Sequence, residues 1–283
     1  MLVNRAAGAS SATDAGLAMM RLLQEAGAEA SLTATENAEH ARVCAGESAR
    51  SGSVIVAVGG DGTVGSLAGT VVREGGTLGL VPIGRGNDFA RQLGVPTVPR
   101  EIAQVLLTGR VKAVDVIDVD GRIVVGSVYA GIDSLTSELV NRAHWLPAKL
   151  QYPFAALRAI ATHPSTPYTI SIDGNEQTVR AHTVVAANSG FYGSGMHVAP
   201  TARIDDGLLN VVIIGEAGRR RLLKALRLVY DGKHVTLDEV TETIAREVTI
   251  ASVGALAAYA DGDRIGPLPV TARVLPGALN VIV

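Results

Sequence analysis

The hydrophobic positions of this 283-residue chain change their period partway along it. In the first third, short apolar runs alternate with segments of helical spacing, the pattern of a parallel sheet covered on both faces by helices. Leu2-Val3 reads as a first strand. From Asp14 to Ala26, Leu17, Met20, Leu22 and Leu23 recur at helical spacing before a stop at Gly27. Residues 28–35 return as a strand and 36–50 as an alanine-rich helix. Ser53-Val54-Ile55-Val56-Ala57-Val58 is almost continuously apolar, as a central parallel strand buried on both faces requires. A helix is predicted over 63–74, a strand over 77–82, and a further helix over 100–108 closed by Gly109.

From Val111 onward the period is two. Alternating segments at 114–119, 123–130, 168–173, 177–187, 208–214, 246–251 and 255–260 are punctuated by Asp120-Gly121, Asp173-Gly174 and Asp261-Gly262, which are hairpin turn pairs. This half is therefore expected to be mostly antiparallel β, interrupted by helical segments at 134–162 and 219–231. Two domains are predicted, 1–110 and 111–283, with the last strands free to pack back on either one.

Composition narrows the function classes. Hydrophobic residues make up 47% of the chain and charged residues 18%, enough for a core and too few charges for disorder. A net charge of −2 and only three Phe and one Trp give neither the field nor the stacking platforms of a nucleic-acid binder, so no nucleic acid is expected as a partner. The lone Cys44 excludes an internal disulfide and a Cys-based zinc site, which fits a reducing cytoplasm. No apolar run reaches the ~18 to 20 residues that span a bilayer, and the opening lacks a signal-peptide pattern, so membrane contact has to be peripheral. The expected location is the cytoplasm, including the inner face of the membrane; a homodimer stays open as the assembly. The six histidines show no metal-ligand spacing.

Candidate chemistry lies in two glycine loops. The buried strand at 53–58 runs into Gly59-Gly60-Asp61-Gly62-Thr63, which places successive backbone N–H groups at the edge of a sheet just before a helix, the geometry that cradles phosphate. Glycines allow the close approach, Asp61 can hold Mg²⁺ directly or through water, and Thr63 can donate to phosphate or cap the helix. The second loop, Gly84-Arg85-Gly86-Asn87-Asp88-Phe89-Ala90, also follows a strand and should lie beside the first. Asp88 would give the resulting cleft a second carboxylate, suited to a metal or to a sugar or lipid hydroxyl, and Asn87 can orient it.

Together these segments resemble the diacylglycerol kinase catalytic family, which includes bacterial lipid kinases and the sphingosine and ceramide kinases. Gly59 to Thr63 is similar to its Gly-Gly-Asp-Gly-Thr, and Pro82 to Leu93 to its Pro-x-Gly-Thr-x-Asn-Asp-Phe-Ala segment. Val3-Asn4 with Gly8 looks like a shortened Asn-Pro-x-x-Gly opening. Asn188, Gly193, Gly195, Pro200 and Asp205-Asp206-Gly207-Leu208-Leu209 follow in the family's order, and Asp261-Gly262-Asp263 resembles its Asp-Gly-Glu. The resemblance implies a Rossmann-like α/β nucleotide domain joined to an antiparallel β-sandwich that receives the lipid substrate. It implies ATP and Mg²⁺ as cofactors, with Asn4, Gly8, Thr35, Gly60, Asp61, Gly62, Thr63 and Ser66 lining the nucleotide. Asp61 and Asp88 would serve Mg²⁺ and phosphoryl alignment, and Asp263 would take the proton from the lipid hydroxyl. A structural Mg²⁺ would sit on the Asp206 side chain and the carbonyls of Arg203 and Leu208; a hairpin capped by its own Asp residues explains the same turn.

Three departures matter. Arg5 replaces the opening Pro, and Arg85 replaces a Thr, adding a cation where Arg can bind phosphate bidentately. Asp263 replaces Glu and is one methylene shorter, which makes Asp261 a competing base and leaves open a nucleotide- or lipid-binding protein of weak or no turnover. NAD kinase shares Gly-Gly-Asp-Gly-Thr, but its downstream Asn-x-Gly-x-Leu-Gly-Phe segment is missing here. Over 219–234 six Lys or Arg stand against one Asp, a formal +5, and Leu222, Leu226 and Val229 fall on the opposite face from Arg220, Lys224 and Arg227. Such a helix over 219–230 can lie on an anionic leaflet or simply pack on the sandwich. The aromatic stretch Trp145 to Leu157 fits an acyl-chain entrance or ordinary helix packing.

Overall fold

The apolar runs of the N-terminal third become the strands of one parallel sheet. The computed structural model describes residues 1–4, 9–142, 148–254 and 256–283. The chain divides into two units, Met1–Val116 with Leu275–Val283, and Ile117–Val274. Arg5, Gly8, Trp145 and Leu146 lie outside the described residues.

In chain order the first unit contains β1 (Leu2–Asn4), α1 (Ala9–Glu25), β2 (Thr33–Thr35), α2 (Ala38–Arg50), β3 (Ile55–Gly59), α3 (Asp61–Glu74), β4 (Thr77–Pro82), α4 (Asp88–Gln92), α5 (Pro99–Thr108) and the start of β5 (Val111–Val119), within which the division falls. The strands lie in the order β2-β1-β3-β4 and every pairing is parallel. Each face of the sheet needs cover, which the helices supply: Val3, Val56, Val58 and Val81 share a core with Met19 and Leu23 of α1 and Ile102 of α5. Helix α1 begins at Ala9 rather than Asp14 and buries Ala12, Gly16, Met19 and Leu23, while Leu17 points outward at 36% exposure. Helix α3 ends where Gly75 turns left-handed at φ 64° and donates its N–H to the carbonyls of Val71 and Val72.

The second unit continues with β6 (Arg122–Val124), β7 (Ser127–Gly131), α6 (Ile132–Arg142), α7 (Ala148–Thr162), β8 (Thr166–Ile172), β9 (Asn175–Ala187), β10 (Phe191–Tyr192), β11 (Met196–His197), β12 (Leu209–Gly215) and α8 (Arg219–Leu228). Two short 3₁₀ turns, Val229–Asp231 and Lys233–Thr236, lead to β13 (Val240–Ala245), β14 (Glu247–Ser252), β15 (Ala257–Ala260), β16 (Asp263–Pro267) and β17 (Val270–Ile282). Strand β9 pairs antiparallel with β7, β8 and β12. Both its faces are covered: Val184 and Ala186 enter one apolar cluster, Val185 and Ala187 another, which is why this stretch reads as an unbroken apolar run. All three Asp-Gly pairs close tight hairpins with both residues left-handed, for example Asp261 at φ 48° and Gly262 at φ 93°.

Strand β17 serves both units. Val270 to Arg273 pair antiparallel with β14, whereas Asn280 and Val281 run parallel to Thr77 and Leu78 of β4. Arg110 and Val283 exchange two backbone hydrogen bonds of 3.0 Å, and Gly277 N–H donates to Asp115 Oδ1 at 2.7 Å.

Candidate functional site

In a parallel sheet the strands all deliver their loops to one edge, and where the chain leaves a strand in opposite directions those loops part and leave a crevice. Here β1 is flanked by β2 and β3. At that carboxyl edge Thr35 lies opposite Asn4, and Gly59 lies opposite Pro82. Residues expected at the nucleotide therefore come together at the ends of neighbouring strands. Thr35 itself is 1% exposed and donates its hydroxyl to Val3 O at 3.2 Å, so it braces the edge.

The two glycine loops touch. A Cβ on Gly84 would stand 2.5 Å from the Gly60 Cα and 2.8 Å from Asn87 Oδ1, and a Cβ on Gly59 would collide with the Thr63 side chain. Only glycine permits this approach. Asn87 takes a left-handed φ of 51° and accepts from Gly84 N–H at 2.8 Å while donating to Gly84 O at 2.9 Å. Its amide thus shapes the second loop. Asp61 Oδ1 accepts from Phe89 N–H at 3.1 Å, a bond from the first loop to the helix that follows the second.

Both carboxylates flank Gly86. A Cβ there would lie 3.0 Å from Asp61 Oδ2 and 3.1 Å from Asp88 Oδ2. Asp88 is 7% exposed, with Arg91 Nε 4.0 Å from its Oδ1. Among the described residues no three His, Cys, Asp or Glu side chains form a ready-made cation cage. Two facing carboxylates beside an open phosphate loop are nevertheless the donor set Mg²⁺ uses when phosphate and water complete its shell. The turns are not sealed: Gly62 and Arg85 are exposed. Helix α3 begins at Asp61, with Gly60 as its cap and no side-chain capping bond, so Thr63 does not cap it. Ser66 donates to Thr63 O at 2.8 Å.

In the second unit the competing carboxylates have separated. Asp261 accepts backbone N–H groups from Val125 at 3.1 Å, Gly126 at 3.1 Å and Ser127 at 2.9 Å, which makes it a clamp on the start of β7. Asp263 is 75% exposed at the side chain and pairs with Arg122 at 3.3 Å. Asp206 Oδ1 accepts from Leu208 N–H at 3.0 Å and caps its own turn, next to an exposed Arg203.

This unit also holds a cavity that the sequence did not announce. Counting the part open to solvent, it spans about 510 Å³, and its lining includes Asp133, Ile160, Tyr192, Met196, Leu222 and Val229. Helix α7 turns Ala155, Ala159 and Ile160 inward and leaves Phe154 and Leu157 exposed. Asp133 retains partial exposure as a residue, but its carboxyl lies deep, and burial pushes its pKa up. Thr183 Oγ1 is 2.6 Å from Asp133 Oδ2 and 3.0 Å from Ala130 O. One hydroxyl proton cannot serve both acceptors, so the pattern closes when Asp133 is protonated. A lone carboxylate following Val128-Tyr129-Ala130-Gly131-Ile132 was the available signal.

Helix α8 turns Leu222 and Ala225 inward and Arg219, Arg220, Lys224 and Arg227 outward. Arg221 pairs with Glu239 at 2.6 Å and Asp238 at 3.3 Å. No helix among the described residues is long and apolar enough to cross a membrane.

Residues 1–119 match the model of the diacylglycerol kinase catalytic domain, and residues 126–283 match that of the YegS C-terminal NAD kinase beta sandwich-like domain. The chain is 34% identical over 245 residues to a diacylglycerol kinase of Mycobacterium tuberculosis H37Rv, covering 83% of this chain and 78% of that one. It is 26% identical over 258 residues to a diacylglycerol kinase of Bacillus subtilis, covering 89% and 84%. A solved structure described as a diacylglycerol kinase from Bacillus anthracis superposes with a TM-score of 0.75 at 21% identity, over 99% of this chain and 94% of that one. At that identity the likeness speaks for the fold.

Proposed function

The chain belongs to the diacylglycerol kinase catalytic domain family, and on that premise we propose that it is an ATP- and Mg²⁺-dependent kinase of diacylglycerol or a related long-chain lipid alcohol. One observation carries this reading: two glycine turns touch backbone to backbone, with the carboxylates of Asp61 and Asp88 on either side of Gly86.

Phosphoryl transfer asks the protein mainly for alignment and charge neutralisation. The N–H groups at the start of α3 and the loops 59–63 and 84–87 would hold the phosphates, with Asn4, Gly8, Thr35 and Ser66 around the nucleotide and Arg85 on its outer side. Asp61 and Asp88 would hold magnesium, which when bound neutralises phosphate charge. The lipid oxygen forms a bond to the γ-phosphorus as the bond to the ADP oxygen breaks, and the hydroxyl proton passes to Asp263. Asp263 suits that role better than Asp261, because Asp261 already accepts three backbone N–H groups. The cavity beside Asp133 would receive the acyl chains. A second, structural Mg²⁺ is assigned to the Asp206 side chain with the carbonyls of Arg203 and Leu208. Peripheral contact with the inner face of the membrane is assigned to the outer side of α8.

The test is transfer of label from γ-labelled ATP with Mg²⁺, offered diacylglycerol in mixed micelles or NAD. Labelled phosphatidic acid is the expected product. Labelled NAD would overturn the reading in favour of an NAD kinase-like enzyme, and binding of ATP with no labelled acceptor would reduce the protein to a binder.

A further inference from the structure

Tyr129 does more than fill the core. It is 2% exposed on β7, directly opposite Tyr259 of β15. Burial raises the pKa of its phenol far above the usual range, so the hydroxyl stays neutral with one proton to give. That hydroxyl accepts from Gly262 N–H at 3.2 Å and shares a hydrogen bond with Ser137 Oγ at 2.9 Å. A phenylalanine would pack the same space; only the oxygen reaches the turn.

This turn leads directly into the assigned base. Asp263 is the next residue after Gly262, and a carboxylate base works only within ~2.6 to 3.2 Å of its proton. Its own side chain is exposed and held by a single ion pair, so its direction depends on the backbone of 261 and 262. Asp261 fixes one side of that turn through the N–H groups of 125–127, with Gly126 as glycine because a Cβ there would strike the Asp261 carboxylate. Tyr129 fixes the other. The Tyr129 ring also stacks on Tyr192, with centroids 5.2 Å apart and planes 20° apart, and Tyr192 hydrogen-bonds to Asp133; both line the cavity. We infer that Tyr129 is a positioning residue for Asp263, and that through Tyr192 it joins the base-bearing turn to the polar end of the cavity. The inference rests on Asp263 being the base.

The test is a double-mutant cycle on the full chain, with steady-state kinetics in lipid micelles. Y129F keeps the ring and loses the acceptor; it should lower kcat about tenfold, leave KM for ATP unchanged, and leave the melting temperature within a few degrees. On an Asp263→Asn background the same change should cost nothing further, which a merely structural role would not produce. S137A, at a half-buried site, removes the other partner of the phenol and should give a smaller loss that also vanishes without Asp263. That variant carries the cycle if Y129F proves unstable. Wild-type turnover in D263N would sink the base assignment itself. A slow D263N together with a wild-type-like Y129F, or with equal losses from Y129F or S137A in both backgrounds, would overturn the role of Tyr129 alone.

Discussion

The Asp61 carboxylate accepts a hydrogen bond from the backbone N–H of Phe89 at 3.1 Å. A residue assigned to the ion thus also ties its own loop to the next one, and substitution separates the two tasks. Asp61→Asn keeps an oxygen for Phe89 and should retain the fold while losing at least ~100-fold in kcat. Asp61→Ala should abolish transfer and in addition lower stability by about 1 kcal/mol, the worth of one hydrogen bond. Kinetics and urea melts on the two variants check this; equal stability would remove the tie.

Gly84→Ala tests whether the loops need their contact. The new methyl would meet the Gly60 Cα at 2.5 Å, and backbone cannot swing aside as a side-chain tip can. Overpacking of this kind costs roughly 1–3 kcal/mol. ATP affinity, measured by calorimetry, should fall at least tenfold. Unchanged affinity would mean the loops act apart.

The two carboxylates of the 261–263 turn should fail differently. Asp261→Asn replaces one oxygen with a donor facing backbone N–H groups and should cost ~2 kcal/mol, a drop of about 4–8 °C for a chain of this size. Asp263→Asn removes an exposed ion pair worth under ~1 kcal/mol, so its melting temperature should stay put while kcat falls ~100-fold or more. Differential scanning calorimetry and initial rates separate the outcomes.

Acid should weaken the second unit through His234. This side chain is 0% exposed, its Nε2 lies 3.0 Å from Val198 O, and burial lowers its pKa despite raising influences from that hydrogen bond and from Glu242; His197 adds to the lowering. The unfolded chain therefore binds a proton more readily than the folded one. Stability is complete above the ordinary imidazole value of ~6.5 and is lost as pH falls through it. Melting temperatures between about pH 8 and pH 5 should show that decline, and His234→Gln should flatten it. His163 and His197 shift in the same direction, so the slope should not vanish.

Arg219 and Arg220 sit in the first turn of α8, where the helix dipole disfavours cations, and neither has an ion pair among the described residues. Local stability does not account for them; an anionic surface would. Replacing Arg219, Arg220 and Arg227 with Gln should weaken binding to phosphatidylglycerol vesicles about 100-fold at low salt, at ~1 kcal/mol per cation. Sedimentation with vesicles measures it, and insensitivity to both the substitutions and salt would refute the contact.

The first unit was the more legible one. Strands β3 and β4 are short apolar words that run into glycine loops, and β4 occupies the predicted 77–82. Residues 28–32 failed to continue β2, because the chain there only returns from α1: Ala28 N–H bonds back to Leu23 O. In the second unit β13 was missed because its burial does not alternate; Ile244 is 55% exposed while Val240 and Ala245 are buried. Strand β17 hid behind Pro276-Gly277, a turn signal overridden where Gly277 N–H finds Asp115. The loops 59–63 and 84–90 could be read as sites because phosphate chemistry writes itself in glycine. The cavity could not, since Asp133, Tyr192 and Leu222 become neighbours only through the fold.

Strand β17 brings residues 275–283 back to β4, after the whole of the second unit has been made. On the ribosome the first unit is thus begun before the second and completed after it. Until those residues emerge, β4 offers the backbone groups along its outer edge to any passing strand. A nascent chain stalled between residues 116 and 275 would carry its parallel sheet one strand short, so chaperone dependence and truncation sensitivity should both concentrate at that unfilled edge.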